Sequence, residues 1–418
     1  RFIDWRFQVL AFGAKINWCR MGSEKLPSRY QAGPDACRSP KVHGMTSSAH
    51  VFADDEDVMR RALQIARQGA GHVEPNPAVG AVVVDSNFRF IAEGFHQRCG
   101  EGHAEVNAIA AAGQRTQGAQ LFVTLEPCSH HGKTPPCADA VIAAGFRRVV
   151  IGSRDPAPHT AGQGIAKLRA AGLEVVIDVC HDEAEWLIAP FRQLITTALP
   201  WVHAKWAMTL DGRIATHSGH SKWISCAASR AEVHRLRGCM DAIVTGAGTV
   251  RADDPLLTAR PSGPRTPLRV VVDSDGSSVA ASGKLVSSLD EALLLICVRQ
   301  PYAASDHLNQ LTDLGAEIFV ATGDDRQQQV QQLVSELGRR QLTNVLVEAG
   351  AGLMGAFFDQ QLVNEVHVFV APKIVGGHAA MSPVGGAGLS EIPQLASLSG
   401  VTVRHFDDDM LIEGRVQR

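Results

Sequence analysis

The sequence predicts an α/β protein built from two domains in series, and three observations carry that expectation. At 418 residues the chain is longer than one hydrophobic core usually organises. From residue 54 onward, short runs rich in Val and Ile alternate with segments whose apolar residues recur three and four apart, the pattern of strands separated by helices. At "PWV" (200–202) that pattern has closed on a long helix, and it then begins afresh. The expected domains are therefore 50–198 and 199–418, behind an extension over 1–49.

The extension is expected to be disordered. Its first 44 residues carry eight Lys or Arg against three Asp or Glu and show no hydrophobic periodicity. The chain begins with Arg1, and Met45 offers an alternative start. The first helix follows in "DDEDVMRRALQIARQGAG" (54–71): an acidic first turn, Val58, Met59, Ala62, Leu63, Ile65 and Ala66 on one side, and a glycine stop. Strands are then expected at "VGAVVV" (79–84), "FIAEGFH" (90–96), "LFVTLE" (121–126), "RVVIGS" (148–153) and "LEVVID" (173–178). Helices separate most of them at 104–112, 137–145 and 164–172, and a helix from His181 closes the unit, so a three-layer α/β/α domain is predicted. The second half repeats the strand pattern at 202–208, 241–247, 268–274, 292–298, 316–321, 344–350 and 365–373, with "RPSGPRTP" (260–267) and "DGSSVAASG" (275–283) as loops.

Composition excludes several function classes. With 45% hydrophobic and 20% charged residues and a net charge of −3, the chain lacks the basic surface that grips nucleic acid or an anionic membrane. Lys, Arg, Gly or Pro interrupts every apolar run before the roughly 18 residues that a membrane-spanning helix needs. Nine cysteines, an odd number spread over a long chain, do not make a secreted disulfide framework and fit a reducing cytoplasm. Small-molecule partners are expected, as is a cytoplasmic homo-oligomer, dimer or tetramer.

"GHAEV" (102–106) and "CSHHGKTPPC" (128–137) carry the first chemistry. His103 and Cys137 fall at expected helix starts, and Cys128 follows a strand. One imidazole and two thiolates satisfy three positions of tetrahedral Zn²⁺ and leave a fourth for water. Zinc brings the pKa of such a water to about 7, and a carboxylate beside it, Glu105, can carry the proton to a leaving amine. The alternative is a closed structural zinc knuckle, with Cys99, His130 or His131 as fourth ligand.

"EPNPAVGAVVV", "GEGHAEV", "TLEPCSHHGKTPPC" and "RDPAPHTAGQG" together resemble the deaminase half of the bifunctional deaminase/reductase family of riboflavin biosynthesis. The resemblance implies a cytidine-deaminase-like fold and hydrolysis of the 2-amino group of a ribosylamino-pyrimidinone 5-phosphate, a small pyrimidine nucleotide. It implies base contacts from Asn76 and His96 and a phosphate anchor at Lys133. Ala157 and Gln163 depart from the pattern, so their loop receives no substrate role. Eight residues between the cysteines, rather than two, set this chain apart from nucleic-acid-editing deaminases.

In the second half, Gly350-x-Gly352-x-x-Gly355 follows an expected strand, a spacing that lets backbone N–H groups approach a pyrophosphate. Alone it equally describes a tight strand-to-helix turn. "KWAMTLDGRIAT", "SGHSKWIS", "DAIVTGAGTVRADDPLLTAR", "VVVDS" and "VEAGAGLMGA" resemble, in order, the reductase half of the same family, which implies a dihydrofolate-reductase-like fold and NADPH. By that resemblance Ala207, Trp223, Thr249, Asp253, Ser274 and the Gly350, Gly352 and Gly355 turn line the cofactor. Ser221, Arg237, Leu257, Arg260 and Glu348 line the substrate, and Lys205 or Glu348 assists ring opening by proton transfer. A non-catalytic zinc module is the remaining rival, and it has little use for Glu105.

Overall fold

Two β-sheets organise the chain in the computed structural model, which describes residues 50–130, 135–157, 160–323, 325–393 and 397–417. The extension expected over 1–49 and the expected phosphate anchor Lys133 lie outside the described residues.

The first sheet holds five strands. In chain order its elements are α1 (Asp55–Ala66), β1 (Gly80–Val84), β2 (Phe90–Phe95), α2 (Ala104–Ala112), β3 (Gln120–Leu125), α3 (Cys137–Ala143), β4 (Arg148–Ser153), α4 (Gln163–Ala170), β5 (Glu174–Val176) and α5 (His181–Thr197). The strand order is β2-β1-β3-β4-β5, antiparallel through β2, β1 and β3 and parallel from β3 to β5. Asp54 caps α1 by accepting from Asp57 N at 2.9 Å, and Asp55, Glu56 and Asp57 complement the helix dipole. Every residue of β1 is buried because both faces of the sheet are covered. Ala81 and Val83 pack with Ala104, Ala108 and Ala138 of α2 and α3, while Val82 and Val84 pack with Met59, Ala62 and Ala184 of α1 and α5. The predicted three layers are present. Gly94 of β2 lies where a Cβ would run into the backbone of α2 at Ala104 and Ala108, so a glycine there lets the helix carrying Glu105 seat on the sheet.

The second sheet holds nine strands. Its elements are β6 (Trp201–Thr209), α6 (Ala227–Arg237), β7 (Ala242–Gly246), α7 (Ala247–Asp253), β8 (Leu268–Val272), α8 (Lys284–Ser287), β9 (Leu294–Arg299), α9 (Asp306–Asp313), β10 (Glu317–Ala321), α10 (Arg326–Arg339), β11 (Asn344–Val347), α11 (Ala351–Asp359), β12 (Glu365–Ala371), β13 (Leu398–Phe406) and β14 (Asp409–Val416). The order is β10-β9-β8-β7-β11-β6-β12-β14-β13. All pairs up to β12 are parallel, and β14 and β13 add an antiparallel hairpin. Two apolar clusters cover the faces, one around Val244, Val345 and Phe357, the other around Ile243, Ile296 and Leu346.

The seven strands expected in this half are present; the hairpin β13–β14 was not anticipated. Most of β13 is exposed, so its sequence lacks the apolar pattern that identifies a buried strand. The two halves touch through side chains of helix α5 and of loops rather than strand to strand. Arg415 stacks its guanidinium 3.7 Å from the Trp186 ring centroid and 4.8 Å from that of Trp201. Arg265 reaches Asp241 at 2.5 Å and Glu74 at 3.5 Å.

Candidate active sites

The first candidate site is assembled by three chain segments. His103 stands in extended conformation as the N-cap of α2, Cys128 follows β3, and Cys137 opens α3 behind Pro136. Their donor atoms converge: His103 Nδ1 lies 3.2 Å from Cys137 Sγ and 3.7 Å from Cys128 Sγ. Two sulfurs and one nitrogen bonded tetrahedrally to zinc, at about 2.3 and 2.0 Å, sit roughly 3.5 to 3.8 Å apart, so the donor set fits the ion with little movement. The Cys137 amide also donates to Cys128 Sγ at 3.3 Å, which favours a thiolate there. Hydrogen bonding from Cys137 holds the Cys128 thiol down at about 4, while the same contact with Cys128 and burial push Cys137 up. A dication held by these two sulfurs would favour the thiolate form of both. Among the described residues neither Cys99 nor His130 joins this group, and His131 lies outside them.

Glu105 sits in the first turn of α2, 3% exposed. Burial raises its carboxyl to about 7, against the opposing pull of His103. Such a group can both take and give a proton near neutrality. His96, 2% exposed, presents its ring edge to His103 with 5.2 Å between centroids. Its Nδ1 lies 3.1 Å from Gly102 O, which can only accept, so that nitrogen carries the proton. Nε2 is then the acceptor for the Asn76 amide at 3.1 Å, and burial lowers the ring's pKa. The structure therefore brings Asn76, His96, His103, Glu105, Cys128 and Cys137 together.

Sequence reasoning overlooked Glu126, although "TLEPC" contains it. Buried at 5% exposure, it accepts from the amides of Asp155, Gly162 and Ile165 at 3.0 to 3.2 Å and so anchors the loop around Ala157 and Gln163. An acid set directly between the last residue of an apolar strand, Leu125, and Pro127 was the available signal.

The second candidate site is a cavity of about 820 Å³ at the C-terminal ends of β7, β8 and β11, where open α/β sheets bind ligands. Lys205, Ala207, Ser221, Thr249, Asp253, Ser274, Glu348, Gly350 and Gly352 line it. Arg251, in the last turn of α7, and Arg326, which opens α10, line it as well and were missed, since a lone arginine at a helix end carries no distinguishing pattern. Arg237 stands behind the lining, pairing with Glu348 through Nε and Nη2 at 2.7 and 2.9 Å. Lys205 Nζ is 3.5 Å from the same carboxylate. Burial would raise Glu348, but Arg237 and Lys205 outweigh it and hold the group at about 2. Burial lowers Lys205, with Glu348 opposing.

Besides Arg237, four expected residues are placed away from the cavity lining. Leu257 is buried in the core beside Ile243 and Val271, with its backbone in the left-handed region. Gly355 makes room for the chain at Gly385 and Gly386 rather than for a ligand. Trp223 is 67% exposed, stacked 4.5 Å from the Arg230 guanidinium. Arg260 is exposed, with Nη1 3.1 Å from Thr258 Oγ1.

Comparison with known proteins matches both halves of the chain. Residues 53–153 match the family model of the cytidine and deoxycytidylate deaminase zinc-binding region, and residues 200–412 match that of the RibD C-terminal domain. The riboflavin biosynthesis protein RibD of Actinobacillus pleuropneumoniae is 40% identical over 372 residues, covering 88% of this chain and 97% of that protein. The chain belongs to the RibD family.

RibD of Escherichia coli is 36% identical, over 86% of this chain and 98% of its own. Among solved structures, Acinetobacter baumannii RibD aligns with a TM-score of 0.75 at 34% identity, over 87% of this chain and 99% of that one. The Thermotoga maritima diaminohydroxyphosphoribosylaminopyrimidine deaminase/5-amino-6-(5-phosphoribosylamino)uracil reductase aligns at 0.74 and 37% identity, with the same coverage. As a RibD, the chain is a bifunctional deaminase/reductase of riboflavin biosynthesis, with a cytidine-deaminase-like zinc-binding region ahead of its reductase region. The His103, Cys128 and Cys137 cluster falls inside the zinc-binding match. Among the described residues no helix is long and apolar enough to cross a membrane.

Proposed function

We propose that residues 50–198 hydrolyse the 2-amino group of 2,5-diamino-6-(ribosylamino)-4(3H)-pyrimidinone 5'-phosphate, and that residues 199–418 reduce the product's ribosyl chain with NADPH to give 5-amino-6-(5-phosphoribitylamino)uracil. The observation that carries the reading is the pairing, in one chain, of a His-Cys-Cys donor set beside a buried carboxyl with a cavity built on Lys205 and Glu348. The substrates are those named for the Thermotoga relative.

His103, Cys128 and Cys137 hold the zinc ion. Bound zinc supplies the Lewis acidity that makes water nucleophilic near neutral pH. Glu105 takes the proton of the attacking water and delivers it to the departing amine, a shuttle suited to a carboxyl near 7. Asn76 and His96 orient the base, the imidazole with its tautomer set by Gly102. Lys133 anchors the phosphate.

In the second cavity NADPH supplies the hydride, and Ala207, Thr249, Asp253, Ser274, Gly350 and Gly352 hold it. A ribosylamine must open before its carbon accepts hydride. Glu348 is ionised and has no proton to give, so Lys205 is the donor to the ring oxygen, with Glu348 fixing it in place. Ser221 meets the sugar phosphate from the cavity wall, and Arg260, exposed outside that wall, is the second phosphate contact that the family resemblance implies.

Supplied with the diaminopyrimidinone nucleotide, the purified protein should release one ammonia and then consume one NADPH per substrate. NADPH consumption that precedes ammonia release would overturn the order, and ammonia release without any NADPH use would overturn the second half.

A further inference from the structure

Beyond the cysteine site, the described residues contain one other cluster able to hold a metal, formed by His203, Glu365 and His367. Strands β6 and β12 run parallel, with Glu365 beside His203 and His367 beside Lys205. Residues two apart share a face, so the three side chains point into one space. His203 and His367 are buried at 7% and 5% exposure, and the Glu365 side chain is 22% exposed, which leaves a path from solvent.

The partners on the far side of each group decide what that space contains. Glu413 Oε1 lies 2.8 Å from His367 Nδ1. A carboxylate only accepts, so the proton is on Nδ1 and Nε2 presents a lone pair. Asn344 Oδ1 lies 3.2 Å from His203 Nε2, which places that ring's proton on Nε2 and its lone pair on Nδ1. Glu365 Oε2 accepts from Trp201 Nε1 at 3.2 Å, with Arg415 Nε at 3.7 Å, and Oε1 is turned to the rings. Three Lewis bases are thereby held facing one another by outer partners, the arrangement that orients ligands around a metal.

Their spacing suits an ion. His203 Nδ1 and His367 Nε2 are 3.0 Å apart, and Glu365 Oε1 is 3.8 Å from His367 Nε2. Donors at about 2.0 to 2.2 Å from a tetrahedral ion sit roughly 3.3 to 3.6 Å apart, between those two values. Two lone pairs at 3.0 Å repel unless a cation lies between them. A proton there answers the two rings but leaves Oε1 beyond hydrogen-bond reach, whereas one divalent ion answers all three. Arg404, which pairs with Glu413 Oε2 at 3.0 Å, and Arg415 both stand on outer oxygens, away from the space between the donors.

We propose that His203, His367 and Glu365 bind a second divalent ion of the zinc class, separate from the ion at His103, Cys128 and Cys137. Two imidazoles and a carboxylate suit zinc and its first-row neighbours. The ion clamps β6 to β12 two residues from Lys205 and so stiffens the floor of the reductase cavity.

Titrating the chelator-stripped, full-length chain with Co²⁺ tests it, following absorption from thiolate-to-cobalt charge transfer and from the d–d bands. The wild type should bind two equivalents, only one of them with charge-transfer absorption. His203→Gln and His367→Gln should each drop to one equivalent and keep the charge-transfer band, and Cys137→Ser should lose that band while retaining the other equivalent. A wild type that saturates at one equivalent overturns the proposal without recourse to any variant. So does a folded His367→Gln chain that still binds two.

Discussion

Arg237 holds Glu348 by both carboxylate oxygens, Nε to Oε1 at 2.7 Å and Nη2 to Oε2 at 2.9 Å, with Lys205 at 3.5 Å on the same acid. The Glu348 side chain is only 11% exposed, so its charge depends on those two cations. Its folded pKa of about 2 lies below the ordinary 4.5, which means the ionised form is what the fold favours. The stabilisation is complete above about 4.5 and is lost as pH falls towards 2.

Glu348→Gln should therefore be less stable than the wild type at pH 6, and the gap in urea midpoint should narrow progressively towards pH 3. Arg237→Ala strands a buried carboxylate and should cost about 3 to 5 kcal/mol at pH 7. A stability gap that widens on acidification would show that the pair is not stabilising.

Glu105→Gln should retain one zinc at His103, Cys128 and Cys137 yet release ammonia at least about 10²-fold more slowly, because an amide cannot carry a proton from water to the leaving amine. Cys137→Ser should lose that zinc and the activity together. Metal analysis alongside ammonia assays separates the two cases. Near-normal turnover in zinc-loaded Glu105→Gln would remove the acid from the mechanism.

The first domain was legible because its signals are local. Val58, Met59 and Ala62 declare a helix, "GAVVV" declares a strand buried on both faces, and His103, Glu105, Cys128 and Cys137 have few uses other than the one their spacing suggests. The second site was legible in outline only. Motif order identifies a segment but not where each side chain goes. Leu257, in a left-handed backbone conformation, turns into the core, and Gly355 serves helix packing. Arg326 enters the cavity from a helix whose start is far from Gly352 in sequence, a relationship that only the fold creates.

Glu74 supplies a test of opposite sign. Burial and the nearby Asp241 raise its carboxyl to about 7, although Arg265 lies 3.5 Å away. Here the fold favours the protonated form, so the wild type should lose stability as pH rises from about 4.5 to 7. Glu74→Gln removes that titration while keeping an acceptor for the Gly71 amide, which now donates to Oε1 at 2.9 Å. The variant should match the wild type near pH 4 and exceed it at pH 8 by on the order of 1 to 3 kcal/mol. A variant less stable at pH 8 would mean that the ion pair with Arg265 outweighs the cost of burial.

The last expectation concerns the independence of the two halves. The apolar clusters that cover the nine-stranded sheet are drawn from residues beyond 198, and the cavity lining is too. A fragment starting at Leu199 gives up the stacking of Arg415 on Trp186 and the pairing of Arg265 with Glu74, but keeps its core and is of ordinary domain size. It should fold, oxidise NADPH when given the deaminated ribosylamino substrate, and release no ammonia. Within it Arg260→Ala should raise the apparent KM if the side chain holds phosphate equally in ground and transition states. Glu348→Ala should lower kcat instead, because without the carboxylate Lys205 loses the partner that keeps it charged and in place. A folded fragment that binds NADPH but reduces nothing would show that the first half contributes to the second reaction, and one that does not bind NADPH would leave the Gly350 turn as a turn alone.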